Sequence, residues 1–221
     1  MLKKLLKQFV MAAFLLPLLS GYAGAAESTV DTSKLVPHIS REHGYMILCP
    51  KRPVGKLSAA EFYNDPTLKG DVLIFDNVEY TIKKAWVIIK DGAEGSDLPD
   101  FNKLSPEEAE TLITNMKNSA GYEGIAFLNV IGDNKGVMAI TAKEVEIDTD
   151  GDGVADTVAT AENQVVKVFF RGKNGNRYLA ELIDNPTPSQ ESVSEFQQCL
   201  STFNELSADD FAKIAANYAQ K

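Results

Sequence analysis

The sequence predicts an α+β domain built around an antiparallel sheet. Its central part contains four consecutive segments with the composition of strands. These segments cover residues 124–131, 137–147, 157–171 and 177–184. Hairpin-type turns containing Gly, Asn and Asp separate most of them, and connections this short join antiparallel neighbours. The strand predicted at residues 78–90 becomes apolar on both parities near its end, so we expect the sheet to be covered on both faces there.

Further strands and helices flank this central part. Strands are predicted over residues 44–50, 71–76 and 78–90, and helices over residues 59–64, 106–120, 192–203 and 208–219. Capping boxes mark three helix starts, because a Ser or Thr hydroxyl and a Glu three residues later satisfy each other's end amides. These boxes are Ser58 with Glu61, Ser105 with Glu108, and Ser192 with Glu195. Residues 27–37 are polar and without pattern, which predicts an irregular lead-in.

The N-terminus has the layout of a secretory signal peptide. A basic head with Lys3, Lys4 and Lys7 precedes an apolar run at residues 9–19, and small residues follow near Ala26. This run is shorter than the ~20 residues that a bilayer span needs. The pattern predicts a signal peptide over residues 1–26 and export to the periplasm or exterior of a bacterium. An uncleaved anchor is the alternative. The remainder divides into one domain at residues 27–206 and a C-terminal helix at residues 207–221.

Charge restricts the class of partner. The chain has 31 acidic and 22 basic residues, and loss of the three N-terminal lysines would leave a charge of about −12. Such a surface argues against binding of nucleic acid or anionic lipid. No second span follows the signal segment, so the mature chain is expected to lack an integral membrane span.

Two cysteines remain after the signal segment, Cys49 and Cys199. In an oxidising compartment they could form a disulfide between the first predicted strand and a late helix. Alternatively, they are two separate buried thiols. The sequence leaves both possibilities open.

One segment has the chemistry of a calcium loop. A twelve-residue loop supplies oxygens at positions one, three, five, seven, nine and twelve, with Gly at six. Here these positions hold Asp148, Asp150, Asp152, the carbonyl of Val154, Asp156 and Ala159, with Gly153 at the turn. Ala159 replaces the usual Glu, so the missing ligand would come from Glu162, another loop or water. The pattern predicts a structural calcium site with a dissociation constant on the order of 0.1–1 mM.

A hairpin tip without an ion is the alternative interpretation of this segment. Asp and Gly are favoured turn residues, and exposed tips are often rich in both. However, four carboxylates at alternating positions repel one another unless a cation lies among them.

Other candidate sites have simpler explanations. His38 and His43 would need a third ligand to hold zinc, and they are predicted to be polar residues ahead of the first strand. All residue types of a Ser-His-Asp triad are present, but no nucleophile-elbow motif or phosphate loop occurs. Arg171, Lys173 and Arg177 surround a predicted turn, where solvent exposure accounts for their charge. The aromatic residues Trp86, Tyr122 and Phe127 are predicted to lie in the core.

The segment from Gly44 to Pro50, an apolar strand that a Gly-aromatic pair begins and a Pro ends, resembles the opening strand of PsbP-like domains. The final helix with Val193 and Phe203, which follows the strand at residues 178–182, is similar to that family's ending. The resemblance covers about residues 40–206. It implies an antiparallel sheet with helices on both faces, an α/β/α sandwich. It also implies a non-enzymatic accessory or binding protein, because members of that family are mostly of this kind. Some of them handle calcium or manganese. The aspartate loop and the last helix are additions to this pattern.

These observations favour an exported, non-enzymatic binding or accessory protein with an unidentified protein partner or small ligand. The main alternative is an exported hydrolase whose site is assembled from residues distant in sequence. A third class, an envelope structural protein, would self-associate.

Overall fold

The main sheet has seven antiparallel strands among the residues that the computed structural model describes, which are 34–119, 121–131, 134–147, 157–160 and 163–219. Its strand order is β3-β4-β5-β11-β10-β7-β6. In chain order the strands are β3 (Gly55–Ser58), β4 (Lys69–Val78), β5 (Thr81–Lys90), β6 (Tyr122–Ile131), β7 (Asn134–Thr141), β10 (Val165–Arg171) and β11 (Arg177–Asp184). The predicted α+β class with an antiparallel sheet is confirmed.

Two of the four predicted central strands are shorter than the sequence indicated. The chain leaves the main sheet after Thr141 and forms a separate two-stranded sheet from β8 (Glu144–Ile147) and β9 (Thr157–Thr160). It rejoins the main sheet at Val165, whose amide donates to Thr141 Oγ1 over 2.9 Å. The Gln164 amide donates to the carbonyl of Pro186, which diverts the backbone from a continuous strand. Continuous strands at residues 137–147 and 157–171 were therefore a wrong prediction.

One face of the sheet is covered by helix α3 (Gln190–Leu200) and by a small three-stranded sheet of order β1-β2-β12. The strands of that small sheet are β1 (Val36–Ser40), β2 (Tyr45–Cys49) and β12 (Asn204–Glu205). Phe196 of α3 packs on Trp86 with ring centroids 5.4 Å apart, and both residues are fully buried. The prediction of Trp86 as a core residue is confirmed.

The other face is covered by α1 (Ala59–Tyr63), a 3-10 turn (Phe101–Lys103) and α2 (Pro106–Ser119). Ala59 of α1 and Ile113 and Met116 of α2 belong to a second buried cluster on this face. Tyr122 is 8 % exposed and Phe127 packs against the cluster. Helices on both faces give the α/β/α arrangement that the PsbP-like resemblance implied.

The helix caps follow the sequence in two of three cases. Ser58 and Glu61 form the predicted capping box at α1. At α2 the Ser105 amide donates to Glu108 over 2.8 Å, as predicted. The third prediction was wrong: α3 begins after Ser189, whose hydroxyl accepts from the Ser192 amide. Ser192 therefore lies inside the first turn. The last helix, α4 (Ala208–Ala219), is where the sequence placed it.

The first strand is another correction, because part of the predicted lead-in belongs to β1. His38 of β1 pairs with Ile47 of β2 in the antiparallel register. Strand β1 contains the polar residues His38 and Ser40, the second of them buried, so apolar alternation does not predict this strand. The placement of His38 ahead of the first strand was therefore wrong.

Both cysteines are free and fully buried, Cys49 on β2 and Cys199 on α3. Burial, together with the nearby Cys199, raises the pKa of the Cys49 thiol to about 12. Of the two possibilities that the sequence left open, the structure has the separate thiols.

Three predicted features lie wholly or partly outside the described residues. They are the signal peptide at residues 1–26, the lead-in before residue 34 and the aspartate loop at residues 148–156. Among the helices that are described, none combines the length and apolar character required to cross a bilayer.

Candidate functional site

A pair of oppositely charged residues lies at the centre of the sheet. Lys167 of β10 is directly opposite Glu181 of β11 in the hairpin register. Their outer neighbours in the same row are Ala139 on β7 and Val87 on β5, both fully buried. Glu181 is 3 % exposed, so a carboxylate has been placed in the middle of an apolar sheet face. Such a group requires close partners, because an unpaired buried charge is costly.

Lys167 bridges two carboxylates. Its Nζ lies 3.3 Å from Glu181 Oε1 and 2.7 and 2.8 Å from the two carboxylate oxygens of Glu94. Glu94 is part of the connection between β5 and the 3-10 turn. The ammonium therefore joins the sheet to this loop.

Two tyrosines complete the cluster from opposite sides. Tyr63, at the end of α1, donates its hydroxyl to Glu181 Oε2. Tyr122, at the start of β6, donates to Glu94 Oε1 over 2.9 Å. Each carboxylate thus accepts from Lys167 and from one phenol.

These contacts keep the protons on Lys167 and on the phenols. Burial alone would lower the pKa of Lys167, but the charges of Glu181 and Glu94 outweigh it and raise the pKa above its ordinary value of 10.5. Burial raises the pKa of Tyr63, and the adjacent Glu181 raises it further. The pKa of Tyr122 is raised in the same way by burial and Glu94.

A cavity of about 800 Å³ lies over this cluster, on the face that carries α1 and α2. The five-residue α1 packs on β3, β4 and β5, and α2 packs on β6, so the two helices lie towards opposite edges of the sheet. The described residues that line the cavity are Tyr63, Asp65, Leu68, Ile89, Gly92, Glu94, Gly121, Thr141, Ala142, Asn163, Val165, Lys167, Leu179 and Glu181. The cavity therefore combines an apolar wall with the charged cluster.

A second polar cluster surrounds Asp71 on the opposite face. Asp71 is 2 % exposed; its Oδ1 lies 2.7 Å from Lys56 Nζ, and its Oδ2 accepts from the Tyr45 hydroxyl over 2.6 Å. His38 Nε2 and His43 Nε2 lie 3.7 and 3.8 Å from the two carboxylate oxygens. Burial alone would raise the pKa of Asp71, but the surrounding polar groups, with His38 first and Lys56 next, hold it well below its ordinary range.

This second cluster contains the residue types of a Ser-His-Asp triad without its geometry. Both imidazoles direct Nε2 towards Asp71, whereas a triad needs one ring nitrogen on the carboxylate and the other on the hydroxyl. The Ser40 hydroxyl is buried and forms no hydrogen bond within the described residues. In addition, these residues are not among those that line the cavity. The arrangement is that of a buried ion pair.

The basic residues around the last hairpin do not form a common site. Lys173 Nζ lies 3.5 Å from Asp210, Arg171 donates to the Gly175 carbonyl over 3.4 Å, and Arg177 donates to the carbonyl of Ser96. Instead, the buried Glu205 organises this turn. It accepts from the Asn174 amide over 2.7 Å and from the Tyr178 hydroxyl over 3.0 Å.

The proposed calcium ligands cannot be placed, because Asp148, Asp150, Asp152, Val154 and Asp156 lie outside the described residues. Within the part that is described, no group of three His, Cys, Asp or Glu side chains is arranged to hold a metal ion. The two segments that flank the loop are described. They pair from Glu144 with Thr160 to Ile147 with Thr157, so the ends of the loop lie side by side.

The sequence analysis missed the Lys167 cluster. A signal was present, because the turn around residue 174 sets a hairpin register that places Lys167 opposite Glu181. The contributions of Glu94, Tyr63 and Tyr122 come from distant parts of the chain, and no local pattern indicates them.

Comparison with solved structures gave a likeness of the fold. The fold is similar to the solution structure of cyanobacterial PsbP (CyanoP) from Synechocystis sp. PCC 6803, with 11 % identity and a TM-score of 0.38 over 82 % of this chain and 98 % of that chain. The PsbP-like resemblance seen in the sequence is thus also found between structures. At this identity and TM-score it carries no statement about function. No family model matches the chain. No curated protein matches it either.

The Asp71 cluster predicts a pH-dependent contribution to stability. Because the folded pKa of Asp71 lies below the unfolded value of about 3.8, its contribution is complete above that value and is lost as the pH falls towards the folded pKa. We expect Asp71→Asn to lower the free energy of unfolding by about 1–3 kcal/mol at neutral pH. The difference in the free energy of unfolding between the variant and the wild type should be smaller at about pH 2.5 than at neutral pH. Chemical denaturation at both pH values measures it.

Asp76→Asn, an exposed carboxylate on the same strand, is the matched control, and its effect should stay within about 0.5 kcal/mol. A gap for Asp71→Asn that is equally large at both pH values would contradict the assignment of this stability to the charged carboxylate.

Proposed function

We propose that the chain is an exported, non-enzymatic binding protein that receives a small ligand in the cavity over Lys167. The observation that carries this proposal is that the charged groups and the phenols of the cluster are paired with one another. Lys167, Glu94 and Glu181 satisfy one another, and the phenols of Tyr63 and Tyr122 donate to the same carboxylates. A preformed, rigid set of polar groups beside an apolar wall is typical of a binding site.

The same contacts favour binding over catalysis. A nucleophile or general base needs an available lone pair near neutral pH. The raised pKa values of Lys167 and of the two tyrosines keep these groups protonated. The carboxylates of Glu94 and Glu181 are held in place by an ammonium and by phenols.

A set of fluorinated fragments, divided equally among cationic, neutral and anionic molecules, tests the cavity. We expect several fragments to bind with dissociation constants on the order of 1 mM, the strength usual for ligands of this size. Fluorine NMR line broadening measures binding. Ala142→Trp, which adds a large side chain to the cavity wall, should abolish it, because the ligand's space is filled.

Val78→Trp, at an exposed site on the β4–β5 hairpin that does not line the cavity, is the control and should bind as the wild type does. Absence of binding by every fragment, or hits that persist in Ala142→Trp, would reject the cavity as a site. Turnover of chromogenic ester or glycoside substrates that Ala142→Trp abolishes would instead establish the rival hydrolase.

Export is part of the proposal, and the N-terminal pattern at residues 1–26 supports it. Expressed in a bacterium with its own N-terminus, the protein should be recovered from the periplasm or the medium, starting near residue 27. Intact-mass spectrometry measures this. A chain that keeps residues 1–26 and remains with the membrane would support the uncleaved anchor instead.

We also propose that the aspartate loop at residues 148–156 binds calcium in a structural role. The alternating Asp148, Asp150, Asp152 and Asp156 support it by their spacing, with the Val154 carbonyl as a further ligand. Pairing of the flanking strands β8 and β9 supports it further, because the loop is closed at its base and a bound ion would brace the hairpin.

Thermal melting of the mature protein tests the calcium site. At fifty times the dissociation constant, calcium adds about 2.3 kcal/mol to the free energy of unfolding. Since 5 mM calcium is about fifty times a dissociation constant of 0.1 mM and about five times one of 1 mM, we expect the melting midpoint to rise by about 2–9 °C relative to chelator. The double variant Asp150→Ala, Asp152→Ala should show no rise. Equal rises in both proteins, or none in either, would show that these aspartates are an ordinary hairpin tip.

A further inference from the structure

We infer that the cavity over Lys167 selects an organic cation, a primary ammonium or guanidinium group attached to a short apolar body. This inference rests on the proposed function, since it names the chemistry of the ligand that the cavity would bind. Three features of the cavity wall support it: its net charge, the use of its charged donors, and its apolar side.

The wall has a surplus of negative charge. Among the described residues that line the cavity, Asp65, Glu94 and Glu181 are acidic and Lys167 is basic. With Lys167 protonated, these four groups sum to −2. Two hydrogen bonds from Thr67, through its hydroxyl and its amide, lower the pKa of Asp65, so this carboxylate is ionised at neutral pH. The potential in the cavity therefore attracts cations.

The charged donor of the wall is already occupied. The three protons of the Lys167 ammonium face three carboxylate oxygens, at 2.7 and 2.8 Å on Glu94 and at 3.3 Å on Glu181. The hydroxyl groups of Tyr63 and Tyr122 donate hydrogen bonds to those carboxylates as well. An anionic ligand would have to displace Glu94 or Glu181 in order to reach Lys167.

Acceptor capacity, in contrast, remains. A carboxylate offers about four lone-pair positions. Glu181 uses one on Lys167 and one on Tyr63, so each of its oxygens can accept again. On Asp65, Oδ1 accepts both bonds from Thr67, and no bond to Oδ2 is described. A ligand with several N–H donors matches these positions, and the other polar side chains of the wall, Thr141 and Asn163, are neutral.

The body of the ligand would lie on the apolar part of the wall. Leu68, Ile89, Val165 and Leu179 line the cavity beside the charged cluster. Its volume of about 800 Å³ falls within the range of ~300–1,000 Å³ common for sites of small ligands. An aliphatic chain of a few carbons next to the charged head would remove this surface from water.

The test compares three probes with the same six-carbon chain: n-hexylammonium, hexanol and hexanoate. Isothermal titration calorimetry, supported by amide chemical-shift changes in NMR, measures each affinity for the mature protein. We expect hexylammonium to bind at least about tenfold more tightly than hexanoate, with hexanol between them. Raising the salt concentration should weaken the binding of hexylammonium, because the Debye length shortens.

Asp65→Asn is the variant that removes charge from the wall while keeping the side-chain oxygen that accepts from Thr67. Since Asp65 is half-buried and water still screens its charge, we expect the substitution to weaken the binding of hexylammonium by about 2- to 5-fold and to leave hexanol unchanged. The matched control, Asp76→Asn, removes an exposed charge that does not line the cavity and should leave both affinities unchanged.

The outcomes separate this inference from the proposed function. Equal or tighter binding of hexanoate, or binding of neutral fragments without any binding of hexylammonium, would overturn the cation preference and leave the cavity as a binding site. Absence of binding by all probes and fragments would reject the proposed function itself.

The same cation chemistry has two possible sources, a free small amine or a lysine side chain of another protein. A blocked tripeptide, acetyl-Gly-Lys-Gly-amide, distinguishes them. If it binds as tightly as hexylammonium, the source is a peptide side chain; if only hexylammonium binds, the source is a free amine. Either result supports the selection of a cation.

Discussion

The ion pair between Lys167 and Glu181 connects the central strands to α1 and to the segment that follows β5. A carboxylate that is 3 % exposed in the middle of a sheet loses its hydration, and partners must replace it. Lys167 supplies the charge, Tyr63 fixes the end of α1, and Glu94 brings the β5 loop onto the sheet. An apolar helix laid across this row would bury the pair without water or donors, so the two helices of this face lie to either side. The cavity is the consequence of that charge placement.

Much of the fold could be predicted from the sequence, because its information is local. The hairpin turns and the alternation from β6 to β11 identify the meander, and the Ser-Glu boxes identify α1 and α2. The prediction failed where long-range pairing decides the structure. Strand β1 has the polar residues His38 and Ser40 at positions where an alternating pattern would have apolar residues. It forms a strand because it pairs with β2. Helix α3 begins after Ser189, whose hydroxyl accepts from the Ser192 amide, although the box with Ser192 also has the spacing of a cap.

The candidate site was less predictable than the fold, for a physical reason. The hairpin register contains the contact between Lys167 and Glu181, so half of the cluster is encoded locally. Glu94, Tyr63 and Tyr122 reach the pair only after the sheet, α1 and the loop have assembled. A charged residue that alternates with apolar residues along a strand is expected to face solvent. The sequence alone does not show that β11 lies between two other strands. The aspartate loop had the opposite character: its spacing is local and visible, but it lies outside the described residues.

The two buried carboxylates show why one cluster is a candidate site and the other is structural. Asp71 and Glu181 are almost equally buried, at 2 % and 3 % exposure. Around Asp71, Lys56 and Tyr45 donate at close range, the small sheet with β1 and β2 covers the face, and the cavity does not reach it. Glu181 also has a lysine and a tyrosine as partners, yet it is among the residues that line a cavity of about 800 Å³. Burial and a low or raised pKa are common to both clusters, so neither property identifies a site. The space beside Glu181, bounded by further acids and an apolar wall, makes that cluster accessible to a ligand.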